Sequence, residues 1–138
     1  MKDWETHMNA AQAAIDAGND IDAEKELTAA VKAAEKADPD SPQMGMSLNS
    51  LAALYDAYGE YDAALPLYEH ALRIMEAAYG PDSPEAASLL NGIAELYRAT
   101  ERVAEAIPLF ERAIGIQEKA LGEDNVDLAA TINNLAIV

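Results

Sequence analysis

The chain has 138 residues, no cysteine, and a formal net charge of −16 from 25 acidic and 9 basic residues. The lack of cysteine excludes disulfides, thiolate metal sites and thiol nucleophiles, and the negative charge disfavours nucleic acids and anionic membranes as partners. The apolar fraction of 51% is rich in alanine, which favours helices over strands.

The chain also lacks the signals of membrane insertion and secretion. No stretch approaches the ~18 consecutive apolar residues that a membrane-spanning helix needs. The first residues, Met1–Glu5, lack the apolar segment of a secretory signal. Together with the absence of cysteine, these features predict a cytoplasmic protein.

Apolar residues spaced by three and four predict two helices at the start of the chain, over residues 2–17 and 20–37. Gly18 is expected to close the first helix in a left-handed conformation, and Asp20 to cap the second. Ser41 then provides an N-cap and Pro42 a first helical position for a third helix, over residues 42–57.

The rest of the chain predicts the same alternation. Further helices are expected over residues 60–78, 84–99 and 102–120, and a seventh begins after Gly122 and is cut short at Val138. Pro66 and Pro108 lie inside two of these helices, where a bend is expected. Glu101 replaces the glycine expected at the turn before residue 102, which should strain or reshape that turn.

A repeat organises these elements. The stretch Leu48–Tyr55 returns as Leu90–Tyr97 and begins again as Ile132–Ala136, with a step of 42 residues from 48 to 90 and from 90 to 132. The first copy is looser, because Gly18 and Gly59 are 41 residues apart. A fixed period of a few tens of residues is the signature of a repeat array.

The repeat resembles the tetratricopeptide repeat (TPR), in the 42-residue form found in kinesin light chains. The matching segments are Leu48-Asn49-x-Leu51-Ala52-x-Leu54-Tyr55, Gly59-x-Tyr61, Ala64-Leu65-Pro66-Leu67 and Gly80-Pro81-Asp82-Ser83-Pro84. The resemblance covers essentially the whole chain and is specific for the fold, although function lives in sites and does not follow from fold alone.

The resemblance implies an all-α fold, a right-handed α-solenoid of antiparallel helix pairs. It predicts one TPR array over residues 1–138, with three units over about 1–40, 41–82 and 83–124 and a partial fourth unit, a lone A helix, over 125–138. Small residues should lie where the two helices of a unit cross, at Ala52, Ala64 and Ala71 and at their counterparts Ala94, Ala106 and Ala113.

The residues give no sign of catalysis. The two histidines, His7 and His70, occupy non-equivalent positions of different repeats, and no metal-binding spacing or glycine-rich phosphate loop is present. We therefore expect a protein that is not an enzyme and needs no cofactor.

In the TPR family, the first (A) helix of each unit lines a concave groove that binds a peptide. By this resemblance, Asn49, Asn91 and Asn133 point into the groove. Asparagine suits such a site because its amide both donates and accepts hydrogen bonds and can pair with a peptide backbone. Equally, these asparagines could bond neighbouring helices and only hold the stack together. The full predicted groove consists of Met8, Gln12, Asn49, Ala53, Asp56, Asn91, Glu95, Arg98 and Asn133.

The expected partner is a protein or peptide segment, neutral to basic, because the negative field attracts cations. The groove lacks the lysines of a carboxylate clamp, which makes an acidic C-terminal peptide a poor ligand. The protein is expected to be part of a larger signalling or adaptor protein; the alternative is a structural or engineered scaffold without an evolved ligand. The apolar C-terminal end is expected to self-associate into a homo-oligomer through Ile132, Leu135, Ile137 and Val138.

Overall fold

The computed structural model describes residues 2–121 of the chain, and side chains within residues 3–119. In this range the regular structure consists of six α-helices and no strand. They are α1 (Lys2–Asp16), α2 (Asp20–Ala37), α3 (Pro42–Ala57), α4 (Tyr61–Tyr79), α5 (Pro84–Ala99) and α6 (Val103–Leu121). Each of the six begins and ends within one residue of its prediction, so the all-α fold is confirmed. The predicted seventh helix lies outside the described residues.

The chain forms two compact units. The N-terminal unit, Met1–Ile74, contains α1, α2, α3 and most of α4, and the C-terminal unit, Met75–Val138, contains α5 and α6. The division into three repeats and a partial fourth remains a prediction.

Serine caps start the A helices that follow proline-containing connections. The Ser41 hydroxyl accepts the backbone N–H of Met44, and the Ser83 hydroxyl accepts that of Ala86. Both prolines that follow stand in the first turn, where a missing N–H costs nothing.

The predicted cap of α2 is wrong by one residue. Asn19 is the N-cap, and its side chain accepts the N–H of Asp22. Gly18 completes the turn after α1 in a left-handed conformation (φ 73°), so the residue that directly follows it, Asn19, takes the cap position. Asp20 is instead the first helical residue. An acidic residue there still favours the helix dipole.

The turn between α5 and α6 keeps the shape of its glycine counterparts. Glu101 has φ 65°, close to the 76° of Gly59 at the equivalent position. The substitution therefore strains the backbone and does not reshape the turn, since a side chain at positive φ is unfavourable.

The core of each unit is built on alanine. In the N-terminal unit Ala11 and Ala23 are buried with Leu27, Leu51 and Leu54. Alanine at a crossing lets two helix backbones approach closely, and the six alanines predicted for these crossings are all fully buried. In the C-terminal unit, a core of buried Ala94, Ala106 and Phe110 is flanked by Tyr97 and Leu109.

Candidate binding face on the A helices

The first helices of the pairs, α1, α3 and α5, are called the A helices here. Their predicted groove positions correspond along the sequence by steps of 41 and 42 residues: Met8, Asn49 and Asn91 first, then Gln12, Ala53 and Glu95, and finally Asp56 and Arg98. We refer to these eight residues as the A-helix face, a name that marks equivalent repeat positions within each unit. The ninth predicted residue, Asn133, lies outside the described residues.

On α5 the predicted residues share one side of the helix. Asn91, Glu95 and Arg98 follow at intervals of four and three residues, which aligns side chains along one face. All three are half-buried. The Oδ1 atom of Asn91 and the Nε atom of Arg98 are buried, yet neither finds a hydrogen-bond partner within the described part of the chain. Buried polar atoms are nearly always satisfied, so two exceptions on one helix face need an explanation.

On α3 the predicted residues differ in exposure. Ala53 is exposed, whereas Asn49 and Asp56 are half-buried. The hydroxyl of Tyr68 on α4 donates to Oδ2 of Asp56 over 3.3 Å. Burial raises the pKa of Asp56 above its ordinary value, and the Tyr68 hydrogen bond only partly opposes this. The face therefore presents a carboxylate whose charged form is incompletely solvated.

On α1 both predicted residues have neighbours within the N-terminal unit. The hydroxyl of Ser47 lies 3.9 Å from the sulfur of Met8 and accepts a hydrogen bond of 2.6 Å from Nε1 of Trp4. Met8 is accordingly half-buried in the contact between α1 and α3. Gln12 is exposed, and its amide donates to Asp16 over 2.9 Å.

Two exposed apolar residues extend this face and were not predicted. Ile15 is 42% exposed and Met46 is 47% exposed. The repeat could have revealed both, because Ile15 corresponds to Asp56 and Arg98, and Met46 corresponds to Ser88. An exposed methionine is well suited to a binding surface because its flexible thioether adapts to different shapes.

The polar groups away from this face serve the fold. His7 pairs with Glu26 across α1 and α2 at 2.7 Å, so this histidine is half-buried and partnered. Among the residues that the structure describes, no group of three or more His, Asp and Glu side chains could hold a metal ion. None of the helices in residues 2–121 has the length and apolar character to cross a membrane.

The C-terminal unit also contains an open cleft of about 620 Å³ that the sequence did not predict. It lies between the connection that precedes α5 and the last turns of α6. One of its lining residues, Pro81, is held by Arg112, which donates to the Pro81 carbonyl over 3.1 Å and to Glu76 over 2.7 Å. The lining residues are Tyr79, Gly80, Pro81, Asp82, Ser83, Pro84, Glu85 and Lys119.

The structure gives no information on the predicted self-association residues. Ile132, Leu135, Ile137 and Val138 all lie outside the described residues. Self-association through them remains a prediction.

Helix pairs joined by tight turns, crossing on buried alanines and recurring every 42 residues, define a helical repeat protein of the α-solenoid class. The family model of the tetratricopeptide repeat matches residues 5–77, 59–114 and 85–138, and the chain belongs to this family. Tetratricopeptide repeats generally mediate protein–protein interaction, and their proteins are typically non-catalytic scaffolds. Among curated proteins, none matches the chain.

Solved structures with the same fold come from kinesin-light-chain-like proteins. A kinesin-light-chain-type protein of Podospora anserina with nearly identical TPR-like repeats is 25% identical, with a TM-score of 0.84, over 96% of this chain and 64% of that chain. A point variant of the same Podospora protein matches at 25% identity with a TM-score of 0.85, over 96% of this chain and 63% of that chain.

A third structure, BtubC (BKLC) from P. vanneervenii, is 18% identical, with a TM-score of 0.67, over 99% of this chain and 64% of that chain, and supports the fold alone. The chain thus spans less than two thirds of the length of each of these structures. The predicted fold class, an all-α solenoid of antiparallel helix pairs, is the class of these relatives.

Proposed function

We propose that this protein is a non-catalytic scaffold that binds a neutral to basic peptide segment of a partner protein on its A-helix face. The observation that carries the proposal is a pair of polar atoms on α5, Oδ1 of Asn91 and Nε of Arg98, that have no hydrogen-bond partner among residues 3–119. We further propose that the chain acts as part of a larger signalling or adaptor protein in the cytoplasm.

The two atoms have complementary chemistry. Among the residues that the structure describes, the Asn91 oxygen is an acceptor without a donor, and the Arg98 Nε–H is a donor without an acceptor. Leaving a buried polar group unsatisfied costs about 1–3 kcal/mol, which a ligand can recover by supplying the missing partner. A peptide unit has one donor and one acceptor, so an extended segment satisfies both atoms, whatever its side chains, once rotation of the Asn91 and Arg98 side chains turns these buried atoms towards it.

Asn91 can reach such a ligand because only part of it is buried. Rotation of its carboxamide by half a turn exchanges the oxygen and the NH₂ group, so either can face a peptide. The alternative role, in which the asparagines hold neighbouring helices together, receives no support from this oxygen, since it bonds to none of the described residues.

The remainder of the face supports an apolar contribution to binding. Ala53, Met46 and Ile15 are exposed on the A helices of the N-terminal unit. The charge of −16 favours a cationic segment and raises its rate of association. A segment with mixed apolar and basic side chains fits these features better than an acidic one.

The proposal can be tested with peptides selected from a random library displayed on phage. Their affinities are then measured by fluorescence anisotropy for the wild type and for Asn91→Ala and Arg98→Ala. We expect each substitution to weaken the selected peptides by roughly 5- to 100-fold, the equivalent of about 1–3 kcal/mol. Asn49→Ala tests the same role on α3.

Matched controls lie on the second helices of the pairs. Arg73→Ala controls for Arg98→Ala, and Glu111→Ala controls for the loss of a polar side chain in general; Arg73 is exposed on α4 and Glu111 on α6. The controls should retain wild-type affinity. Equal affinity of Asn91→Ala, Arg98→Ala and the controls would show that the peptides bind elsewhere, and the A-helix face would lose its assignment.

A further inference from the structure

A second exposed surface lies at the end of the N-terminal unit where α1 turns into α2 and α3 turns into α4. Ile21, near the start of α2, is 82% exposed, and Tyr58, at the end of α3, is 48% exposed. Large apolar side chains that are exposed singly are common, so each alone would mean little. One hydrogen bond between α2 and α3, however, indicates that both residues lie at the same end of the N-terminal unit.

That hydrogen bond joins Tyr55 on α3 to Glu24 on α2. The Tyr55 hydroxyl donates to Oε1 of Glu24 over 3.0 Å, which sets these two helices side by side at this level. Ile21 lies one turn before Glu24 and Tyr58 one turn after Tyr55. Because the chain direction reverses between α2 and α3, both steps lead towards the same end of the unit.

The repeat itself shows that these two residues are not required by the fold. The positions equivalent to Ile21 hold Asp62 and Ala104 in the other repeats, and the positions equivalent to Tyr58 hold Ala17 and Thr100. Polar or small residues are therefore compatible with the same turns. The exposed isoleucine and tyrosine are particular to this end of the chain.

The charges around the pair are of one sign. Asp20, Asp22 and Glu24 are exposed near the start of α2, and Glu60 is exposed two residues after Tyr58. Glu60 and Glu24 both act on the Tyr55 hydroxyl, whose pKa is raised first by burial and then by these neighbours. Lys25 is the basic side chain of this segment.

We propose that Ile21 and Tyr58, with these surrounding carboxylates, form a docking surface for a basic amphipathic helix of a partner protein. An apolar side chain of that helix would cover the pair, and its flanking lysines or arginines would meet the carboxylates. A second copy of this chain is excluded as the intended occupant by its own negative charge. The surface is separate from the A-helix face and does not depend on it.

The test uses two synthetic helical peptides of equal length and charge, one built from leucine and lysine and the other from alanine and lysine. Titration calorimetry with the full chain measures their affinities at low and at physiological salt. The double variant Ile21→Asp with Tyr58→Thr takes the residues that other repeats carry at these positions, so the fold should persist. Circular dichroism checks that it does.

We expect the leucine–lysine peptide to bind the double variant about tenfold more weakly than the wild type, because the variant cannot bury the apolar contact. Ile21→Asp makes the protein more acidic, so charge alone would strengthen the binding of this cationic peptide. A loss therefore reports the apolar contact. The alanine–lysine peptide, which carries the same charge, should bind weakly to both proteins and no more weakly to the double variant than to the wild type.

Tyr79→Thr is the matched control, since Tyr79 is 52% exposed at the end of α4 and belongs neither to this surface nor to the A-helix face. This variant should bind the leucine–lysine peptide as the wild type does. Unchanged affinity of the double variant, or an equal loss in Tyr79→Thr, would overturn the proposal. A wild-type dimer that becomes monomeric in the double variant during sedimentation would also overturn it, because a second copy would then be the occupant.

Discussion

The indole Nε1 of Trp4 donates a hydrogen bond of 2.6 Å to the hydroxyl of Ser47, which ties α1 to α3 across 43 residues of sequence. Ser47 is fully buried, and its hydroxyl donates in turn to the carbonyl of Gln43 over 2.8 Å. The corresponding residue of the next repeat is Leu89, so this polar link belongs to the N-terminal unit and is not a general feature of the repeat.

Ser47→Ala should therefore destabilise the N-terminal unit. The substitution removes the acceptor of the partly buried indole N–H, and the loss of this hydrogen bond costs about 0.5–1.5 kcal/mol in the free energy of unfolding. Urea unfolding followed by circular dichroism measures the loss. Ser50→Ala, on the same helix but only half-buried, is the matched control and should change stability by less than about 0.5 kcal/mol. Equal stability of the two variants would mean that the Trp4 bond contributes nothing net.

Glu101→Gly should stabilise the chain. Glu101 holds φ at 65°, where a side chain is strained, while Gly59 holds the same turn without strain. We expect the free energy of unfolding to rise by about 1 kcal/mol. The variant removes the strain of a side chain in the left-handed conformation, but part of this gain is lost because glycine gives the unfolded chain more entropy. The reciprocal variant Gly59→Ala should lose a similar amount. A decrease in melting temperature for Glu101→Gly would contradict this account.

Asp56→Asn should raise the stability at neutral pH by less than about 1 kcal/mol, since the carboxyl is only half-buried. The raised pKa of Asp56 means that the folded chain binds this proton more readily than the unfolded chain. The charged form is thus costly at neutral pH, and that cost disappears as the pH falls through the raised pKa towards the ordinary value of 3.8.

The stability difference between Asp56→Asn and the wild type should therefore shrink on acidification. Urea unfolding at a series of pH values measures it. Because other carboxylates titrate in the same range, only the difference between the two proteins is informative. Asp62→Asn, which makes the same substitution at an exposed carboxylate, is the matched control. An advantage of Asp56→Asn that grows as the pH falls would have the wrong sign.

Arg112→Ala should loosen the connection before α5. The guanidinium holds Glu76 and the carbonyl of Pro81 together, although both charged side chains are partly exposed. The loss in stability should stay below about 1 kcal/mol and become smaller at high salt. Hydrogen exchange should show faster exchange of the amide of Ser83, which bonds to the Gly80 carbonyl in this connection. Unchanged exchange there would show that Arg112 does not order the connection.

The helices could be predicted from sequence because their ends are set by local chemistry. Ser41 and Pro42 form a start signal whose elements lie next to each other, and Gly18 sets a stop by its own conformational freedom. The cap of α2 was misplaced because Asn19 and Asp20 are both good caps, and the length of the preceding turn decides between them. Gly18 fixes that length through its left-handed conformation. The residue at which the next helix starts therefore depends on the backbone geometry of the turn, which the sequence does not display.

For the candidate site, the sequence predicts which residues occupy equivalent repeat positions but not what those residues contact. The 42-residue step identifies Asn91 and Arg98 as equivalent to other A-helix residues, but it gives no information on whether their polar atoms find partners. The Trp4–Ser47 bond shows the same limit, since residues 43 positions apart give no local pattern. The proposed docking surface of Ile21 and Tyr58 rests on the Tyr55–Glu24 hydrogen bond between α2 and α3, which sequence spacing does not display.

The bond between Trp4 and Ser47 also allows stepwise unfolding to be followed by the fluorescence of Trp4. Trp4 is the single tryptophan, so tryptophan fluorescence, excited selectively over the six tyrosines, reports on the contact of α1 with α3, whereas the far-ultraviolet circular dichroism averages over all helices. In repeat proteins, stability is a sum of the stabilities of neighbouring units, and the ends can open before the middle. A fluorescence transition that precedes the loss of helicity would locate the first opening at the N-terminal helix, without a label or an added probe.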